Sequence, residues 1–539
     1  MVPTSSLNPS AHIDTFCRDR LPAEEDWPEL LFELPELHYP ARLNAGSELL
    51  DATIARYGPD RRALLAPEPS HVSWTYGELR DRATGVAAAL TRELGVVPGN
   101  RVVLHGPNTP WLAAAWLGVL KAGAVAVTTA AMLRPGELAT IGGLTCPAVA
   151  LCDHRFAAAL ASAGITGMPI VPFGGDGPDD LAVRAARQGP FDDVPTSADD
   201  VALLACTSGT TGEPKVTMHF HRDLLAIADT FARHVVALRP DDLVTGTPPY
   251  AFTFGLGGLL VFPLRAGAAA LLLERATSEE LAEHVAAHRA TALFTAPTAY
   301  RALAGDGRPE RLASLRRCVS AGEPLPASVW HGFHAATGIR LIDGIGSTEM
   351  LHVFISAADA DSRPGTTGRA VPGYRVDVVD DLGRSVPDGV PGHLVVRGPT
   401  GCRYLGGRRQ REYVVHGWNR TGDIYVRDAD GRYRFQARSD DMIITAGYNV
   451  AGPEVEQALQ QHPSVADCAV VGTPDAERGH VVTAHVVLRP GDTATAAELQ
   501  VFVKNLIAPY KYPRRIHFVD ALPRSSTGKL QRSALREAV

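Results

Sequence analysis

The stretch LLACTSGTTGEPKVTMHFH has the makings of an anion cradle: an apolar run leads into Thr207, Ser208, Gly209, Thr210, Thr211 and Gly212, followed by Glu213, Pro214 and Lys215. Glycines let backbone N–H groups approach an anion closely, hydroxyls add donors and the lysine adds charge, so the matching chemistry is phosphate binding. The pattern is not the P-loop GxxxxGK[ST], because Pro214 precedes the lysine and Val216 follows it, which disfavours an ordinary P-loop nucleoside triphosphatase. A solvated Ser/Thr/Gly turn that binds nothing has the same composition, so this stretch alone leaves both readings open. Lysine usage adds a second signal. Of 52 basic residues only Lys121, Lys215, Lys504, Lys511 and Lys529 are lysines. A chain that favours arginine elsewhere keeps lysine where a slim, mobile point charge is required, although chance survival explains some, and Lys504 in ELQVFVKNLI reads as a solvated helix face.

The elements that must hold these residues are α/β in texture. Between Trp74 and Leu204 helical stretches such as YGELRDRATGVAAALTREL alternate with apolar runs such as RVVLHG and AVAVTT, which predicts layered parallel strands. The alternation resumes after Leu224 and continues to Asp343, through ALLLE, SEELAEHVAAHRA, TALFTAP and RRCVSAG. From Gly365 to Phe435 short strands with Gly, Pro and Asp turns predict a β-rich subdomain. Beyond Asp440, MIITA, PEVEQALQQH, ADCAVVGTP, HVVTAHVVLR and a basic tail predict a compact α+β unit of about 100 residues, large enough to fold alone. The expected organisation is therefore a large N-terminal domain, 1–438, and a small C-terminal domain, 439–539, with the polar ARSDD stretch from Ala437 as the candidate hinge. The most apolar stretch, GLGGLLVFPLRAGAAALLLERA from Gly255, is broken by Pro263 and Arg265 and reads as buried strands and turns rather than a membrane span.

Length and composition narrow the function. A chain of 539 residues needs more than one domain, and 45% hydrophobic with 21% charged residues is the balance of a globular protein. A formal charge of −7 gives no broad positive field, so nucleic acid is excluded as a main partner and small-molecule chemistry is expected. Seven scattered cysteines without a CxxC pair, and an N-terminus without a basic start and apolar block, predict reduced thiols and a cytoplasmic address. No Cys/His spacing suggests zinc.

With the phosphate-like loop come, in order, SAGEPLP from Ser320, DGIGSTEML from Asp343, WNRTGD from Trp418, ARSDDMIITAGYNVAGPEVE from Ala437 and PRSSTGKLQR from Pro523. This ordered set resembles the adenylate-forming superfamily of acyl-CoA and aryl-CoA synthetases, luciferases and peptide-synthetase adenylation domains, over roughly Thr75 to the C-terminus. The resemblance implies ATP, Mg²⁺ and coenzyme A as cofactors. It further implies that Gly322, Glu323, Gly346 and Ser347 border the nucleotide, with Thr348 near the α-phosphate and Glu349 holding Mg²⁺, a hard cation that takes carboxylate and phosphate oxygens. Asp423 and Arg438 would fix the ribose hydroxyls. Here the chain departs from the pattern, with Ala437 in place of the usual Gly before the arginine. Lys529 would meet the substrate carboxylate and the α-phosphate while the adenylate forms, and Gly447 would line a thin thiol tunnel after the C-terminal domain rotates about Asp440.

Lys511 and Arg514, interleaved with Tyr510 and Tyr512 in APYKYPRR, suit the 3′-phosphate and adenine of free coenzyme A. A separate carrier protein is the other acceptor, and a homo-oligomer is compatible. TPPYAFTFGLGG from Thr247 resembles benzoate-type and especially 2-aminobenzoate CoA ligases, with Phe252 and Phe254 as ring-stacking candidates and Thr253 as a partner for a polar substituent. Ala321, Gly322, Gly344 and Gly346 are small enough to leave a slot, and His352 follows at reach of an ortho substituent; His219 and His221 flank the phosphate-like loop. The leading expectation is an aryl-CoA ligase. An aliphatic acyl-CoA synthetase, a ligase loading a carrier, and a non-catalytic nucleotide binder are the alternatives, and the intact Lys215, Glu349, Asp423, Arg438 and Lys529 oppose the last.

Overall fold

The computed structural model describes residues 7–67, 71–207, 214–407, 409–439, 441–445, 448–475, 479–507, 511–524 and 529–537. Its contacts divide the chain into two compact units, one of Met1–Val376 and Val396–Asn419, the other of Asp377–Val395 and Arg420–Val539.

The first unit carries two sheets. One has the strand order Ile170–Phe173, Val149–Asp153, Arg101–Gly106, Val125–Ala130, Val201–Thr207, Lys215–Phe220, parallel except for the last, which turns back antiparallel. Arg101–Gly106 and Val125–Ala130 are buried at every position, the pattern of central parallel strands covered on both faces. The helix Tyr76–Arg92 starts where Thr75 and Glu78 form a reciprocal capping box, and packs through small residues onto Pro110–Lys121. A Cβ at Gly118 would lie 2.6 Å from Val86 Cγ1, so only glycine permits that approach. Thr109 caps Pro110–Lys121, and Pro110 occupies the first turn, where a missing N–H costs nothing.

In the second sheet Arg317–Ser320 lies between Ile342–Gly346 and Ala292–Thr295, followed by Leu243–Gly246, Ala269–Leu271 and Arg62–Ala66, all parallel; Val353–Ser356 and Val72–Thr75 add antiparallel neighbours. Because four adjacent strands share a direction, the segments after Gly246, Thr295, Ser320 and Gly346 emerge on one edge. That is where open α/β sheets bind ligands. Leu271, Leu281, Leu293, Tyr300 and Phe333 form the core on one face.

One sequence expectation is overturned here. The apolar stretch from Gly255 is mostly helix: Thr253–Leu256, a wide π-turn Gly257–Val261, and Phe262–Ala266, before the strand Ala269–Leu271. The usual helical alternation is missing because Leu256, Leu259, Leu260, Val261, Phe262 and Leu264 are all buried, so no side needs polar residues. Pro263 is tolerated where the π-turn has already interrupted the regular ladder. No helix among the described residues is long and apolar enough to cross a membrane.

In the second unit the strand segment from Asp423 to Arg427 pairs antiparallel with Tyr433–Arg438, with Asp423 opposite Arg438, as expected of the β-rich texture. Beyond them the hairpin Met442–Thr445 and Tyr448–Ala451, the helix Gly452–Leu459, the long pair Val465–Asp475 and Gly479–Leu488, the helix Ala496–Leu506 and the parallel strand Arg515–Phe518 enclose Val450, Val455, Leu459, Val470, Val482 and Leu499. This is the α+β texture expected from the sequence.

Candidate active site

The phosphate-like stretch lies between the antiparallel strands Val201–Thr207 and Lys215–Phe220, in register at Thr207 and Lys215. Ser208, Gly209, Thr210, Thr211 and Gly212 fall outside the described residues. Lys215 is half-buried, with its Nζ 5.7 Å from the centre of the Tyr404 ring.

The turn Gly346–Met350 is pinned at successive residues. Gly346 is required by close approach, since a Cβ there would lie 2.5 Å from the His352 carbonyl oxygen. The Ser347 hydroxyl accepts from Met350 N at 3.2 Å. His219 Nε2 lies 2.8 Å from the Thr348 carbonyl oxygen, and because a carbonyl only accepts, this nitrogen carries the proton. The Glu349 carboxylate accepts from the Tyr404 hydroxyl at 2.6 Å, and the Met350 carbonyl from the Thr400 hydroxyl at 2.8 Å. Behind His219 stand Asp223 and Arg403, both wholly buried and 2.9 Å apart. Burial alone would raise the Asp223 carboxyl, but the Arg403 guanidinium, His219 and Arg222 outweigh it and hold its pKa at about 2. Burial pushes the Tyr404 phenol up, and the Glu349 charge adds to it, so Tyr404 remains a neutral donor.

Glu349 is half-buried, and among the described residues no group of three or more His, Cys, Asp or Glu could hold a metal by itself. One hard carboxylate oxygen fits a divalent cation whose other ligands come from phosphate and water.

His352 begins the apolar end. Leu351, just before it, takes a left-handed backbone, φ 67°, at a cost of roughly 1–2 kcal/mol. The imidazole is buried among Phe231, Phe254 and Phe262, with ring centres 5.4, 5.8 and 4.5 Å away. Neither ring nitrogen has a hydrogen-bond partner of good geometry among the described residues. Burial, offset in part by the Phe254 backbone, pushes its pKa down to about 3, so the ring is neutral. Phe252, Thr253 and Phe254 are half-buried at the start of the Gly255 helix, and Phe254 also meets Phe294 at 5.8 Å. Ala321 is buried, Gly322 is exposed with φ 92°, and Glu323 is half-buried. Gly344 gives way to Val353, whose Cγ1 would be 2.9 Å from an added Cβ.

In the second unit Arg438 Nη1 donates to Asp423 Oδ1 and to the Thr421 carbonyl, each at 3.1 Å. Ala437 is wholly buried opposite Ile424. Lys511 Nζ donates to both Glu454 oxygens at 2.6 and 2.7 Å, and Arg514 to the Tyr512 hydroxyl at 3.0 Å. Lys529 is exposed. Asp440, Gly447 and Tyr510 fall outside the described residues.

A family model described as AMP-binding enzyme matches residues 50–404, and one described as AMP-binding enzyme C-terminal domain matches 454–529. The chain belongs to the AMP-binding enzyme family. This AMP-binding enzyme is 36% identical to benzoate–CoA ligase of Thauera aromatica, over 94% of this chain and 98% of that protein. A crystal structure of an anthranilate CoA ligase in complex with anthranoyl-AMP superposes with a TM-score of 0.87 at 34% identity, covering 94% of this chain and 99% of the other. A benzoate CoA ligase from Burkholderia xenovorans LB400 gives 0.84 at 34%, covering 92% and 100%.

Sequence reasoning missed several residues of this AMP-binding enzyme's site. Tyr404, Thr400 and Arg403 sit in the turn-rich TGCRYLGG, which offers no chemical pattern. His219 was noted only as flanking the loop, and its contact with Thr348 spans 129 residues. Asn108, buried, holds Pro248 O and Tyr250 N at 3.0 and 2.8 Å and so ties down the approach to Phe252. His221 accepts from Ala45 N at 3.1 Å, and burial pushes its pKa to about 3, as suits a structural histidine.

Proposed function

We propose that this chain is an ATP-dependent aryl-CoA ligase with 2-aminobenzoate as its preferred acid. The carboxylate attacks the α-phosphorus of ATP and pyrophosphate leaves; the thiol of coenzyme A then attacks the mixed anhydride and AMP leaves. The observation that carries the reading is the closeness in sequence of a carboxylate suited to a cation–nucleotide complex, Glu349 in the pinned turn, and a neutral imidazole among aromatic rings with no hydrogen bond of good geometry, His352. An unpartnered buried nitrogen is costly, about 1–3 kcal/mol, and an ortho amino group would relieve it. The relatives acting on benzoate and anthranilate support the same substrate class.

In this reading residues 207–212 and Lys215 take the phosphates, and Gly322, Glu323, Gly346 and Ser347 border the nucleotide. Thr348 meets the α-phosphate, while Asp423 and Arg438 meet the ribose. Glu349, with phosphate oxygens, would hold Mg²⁺, which when bound offsets phosphate charge. Phe252, Thr253, Phe254, Ala321 and Gly344 wall the acid beside His352. A C-terminal domain, 439–539, turns about Asp440, exchanging Lys529 for the face with Gly447, and Lys511 and Arg514 receive the 3′-phosphate of coenzyme A. Lys511 must then exchange the half-buried Glu454 for phosphate, one anionic partner for another. Seven unpaired cysteines support a reducing, cytoplasmic setting.

Pyrophosphate release and acyl-CoA formation measured with benzoate, 2-aminobenzoate, salicylate and hexanoate test the reading. Preference for 2-aminobenzoate is expected. Preference for hexanoate would overturn the aryl assignment, and adenylation without any CoA product would transfer the acyl group to a carrier protein instead.

A further inference from the structure

We infer that Tyr404 is the positioning residue of Glu349: its hydroxyl fixes one carboxylate oxygen so that the other is presented to the divalent cation of the nucleotide. The inference rests on the reading of Glu349 given above. Three observations carry it.

The Tyr404 hydroxyl donates to Glu349 Oε1 at 2.6 Å, a charge-assisted hydrogen bond, and no hydrogen bond to Oε2 is found among the described residues. A carboxylate held through one oxygen loses its rotational freedom, and the free oxygen then points in one direction rather than many.

Tyr404 is itself held from behind. Its backbone N donates to Gln410 Oε1 at 2.9 Å, and the wholly buried Gln410 amide donates to the carbonyls of Cys402 and Asp26 at 2.9 and 3.0 Å. The flanking backbone runs beside the strand that begins at Lys215: Met218 N donates to Arg403 O at 2.8 Å and Leu405 N to Val216 O at 2.9 Å. The ring is 4% exposed and lies edge-on to Tyr413, with centres 5.8 Å apart.

The third observation is the position of Lys215. Its ammonium is 5.7 Å from the Tyr404 ring centre, so one tyrosine touches both the lysine assigned to phosphate and the carboxylate assigned to the cation. No ion pair joins Lys215 to Glu349 among the described residues, so the carboxylate is not consumed by the lysine.

Tyr404→Phe removes only the hydroxyl and keeps the ring against Tyr413 and Lys215, so thermal unfolding is expected to be little changed. ATP binding is measured by calorimetry on the full chain, with EDTA and with saturating Mg²⁺, and the Mg²⁺ concentration that half-saturates pyrophosphate release is measured alongside. The variant is expected to bind ATP like wild type in EDTA, to lose about tenfold of the Mg²⁺-dependent gain, and to need about tenfold more Mg²⁺. On a Glu349→Gln background, where no carboxylate remains to be oriented, Tyr404→Phe is expected to change nothing further. An unchanged Mg²⁺ dependence in Tyr404→Phe overturns the inference alone. So does an equal loss of affinity with EDTA and with Mg²⁺, which marks a packing role. A wild-type chain with no Mg²⁺-dependent gain overturns the reading of Glu349 and the inference with it.

Discussion

The two units hold their candidate groups in opposite ways. In the first, the turn around Glu349 is fastened from a dry interior by His219, Tyr404 and Thr400, and the Arg403–Asp223 pair behind His219 has no exposure at all. In the second, Arg438, Lys511 and Lys529 stand partly or wholly in solvent, and Lys511 is paired with the half-buried Glu454. The first unit is organised before a ligand arrives, and in the proposed function the second supplies charges that change partners. Preorganised groups suit charge developing at a fixed point, exchangeable ones suit steps that follow one another.

This contrast breaks first at the Arg403–Asp223 pair. Arg403→Met strands a buried carboxylate and is expected to destabilise the fold by about 3–5 kcal/mol in denaturant unfolding. A loss below about 1 kcal/mol would show that the interior is not organised by charge. The same pair has a pH signature. Since the folded Asp223 pKa is lowered, its contribution is complete above the unfolded carboxylate value and is lost as pH falls toward about 2. Asp223→Asn is expected to remove that part of the acid dependence in an unfolding series.

Next in size, Lys529→Ala is expected to slow adenylation on the order of 10²–10³-fold while thioester formation from supplied adenylate stays within about twofold of wild type. Equal loss of both steps would break the assignment of exchangeable roles to the second unit. His352→Phe removes an unsatisfied polar group, so a gain of about 1 kcal/mol in stability is expected, together with about tenfold less preference for 2-aminobenzoate over benzoate. Loss of stability instead would mean that the imidazole is a structural group. The smallest change is Lys511→Ala: about 1 kcal/mol in stability, since a partly exposed ion pair contributes little, with a several-fold rise in the KM for coenzyme A.

Much of this was legible in the sequence because it is local. The helical stretch from Tyr76, the short run Val125–Ala130 and the β texture after Gly365 each announce themselves within a few residues. The Gly255 helix did not, because a helix buried on every side loses the alternation that identifies one. Tyr404 and His219 were hidden for another reason: their partners lie 55 and 129 residues away, and a lone Tyr or His carries no trace of what it will face.

The π-turn glycine at 257 sets a limit on how the proposed acid site can change. An added Cβ would come within 2.4 Å of His352 Cδ2 and 3.1 Å of Phe262 Cζ. Since no residue is smaller than glycine, that wall can only move inward, and each inward step pushes the imidazole from its place. If the acid binds as proposed, selection for larger or differently substituted acids has to work through Thr253 and Phe254, which are half-buried, while position 257 stays glycine.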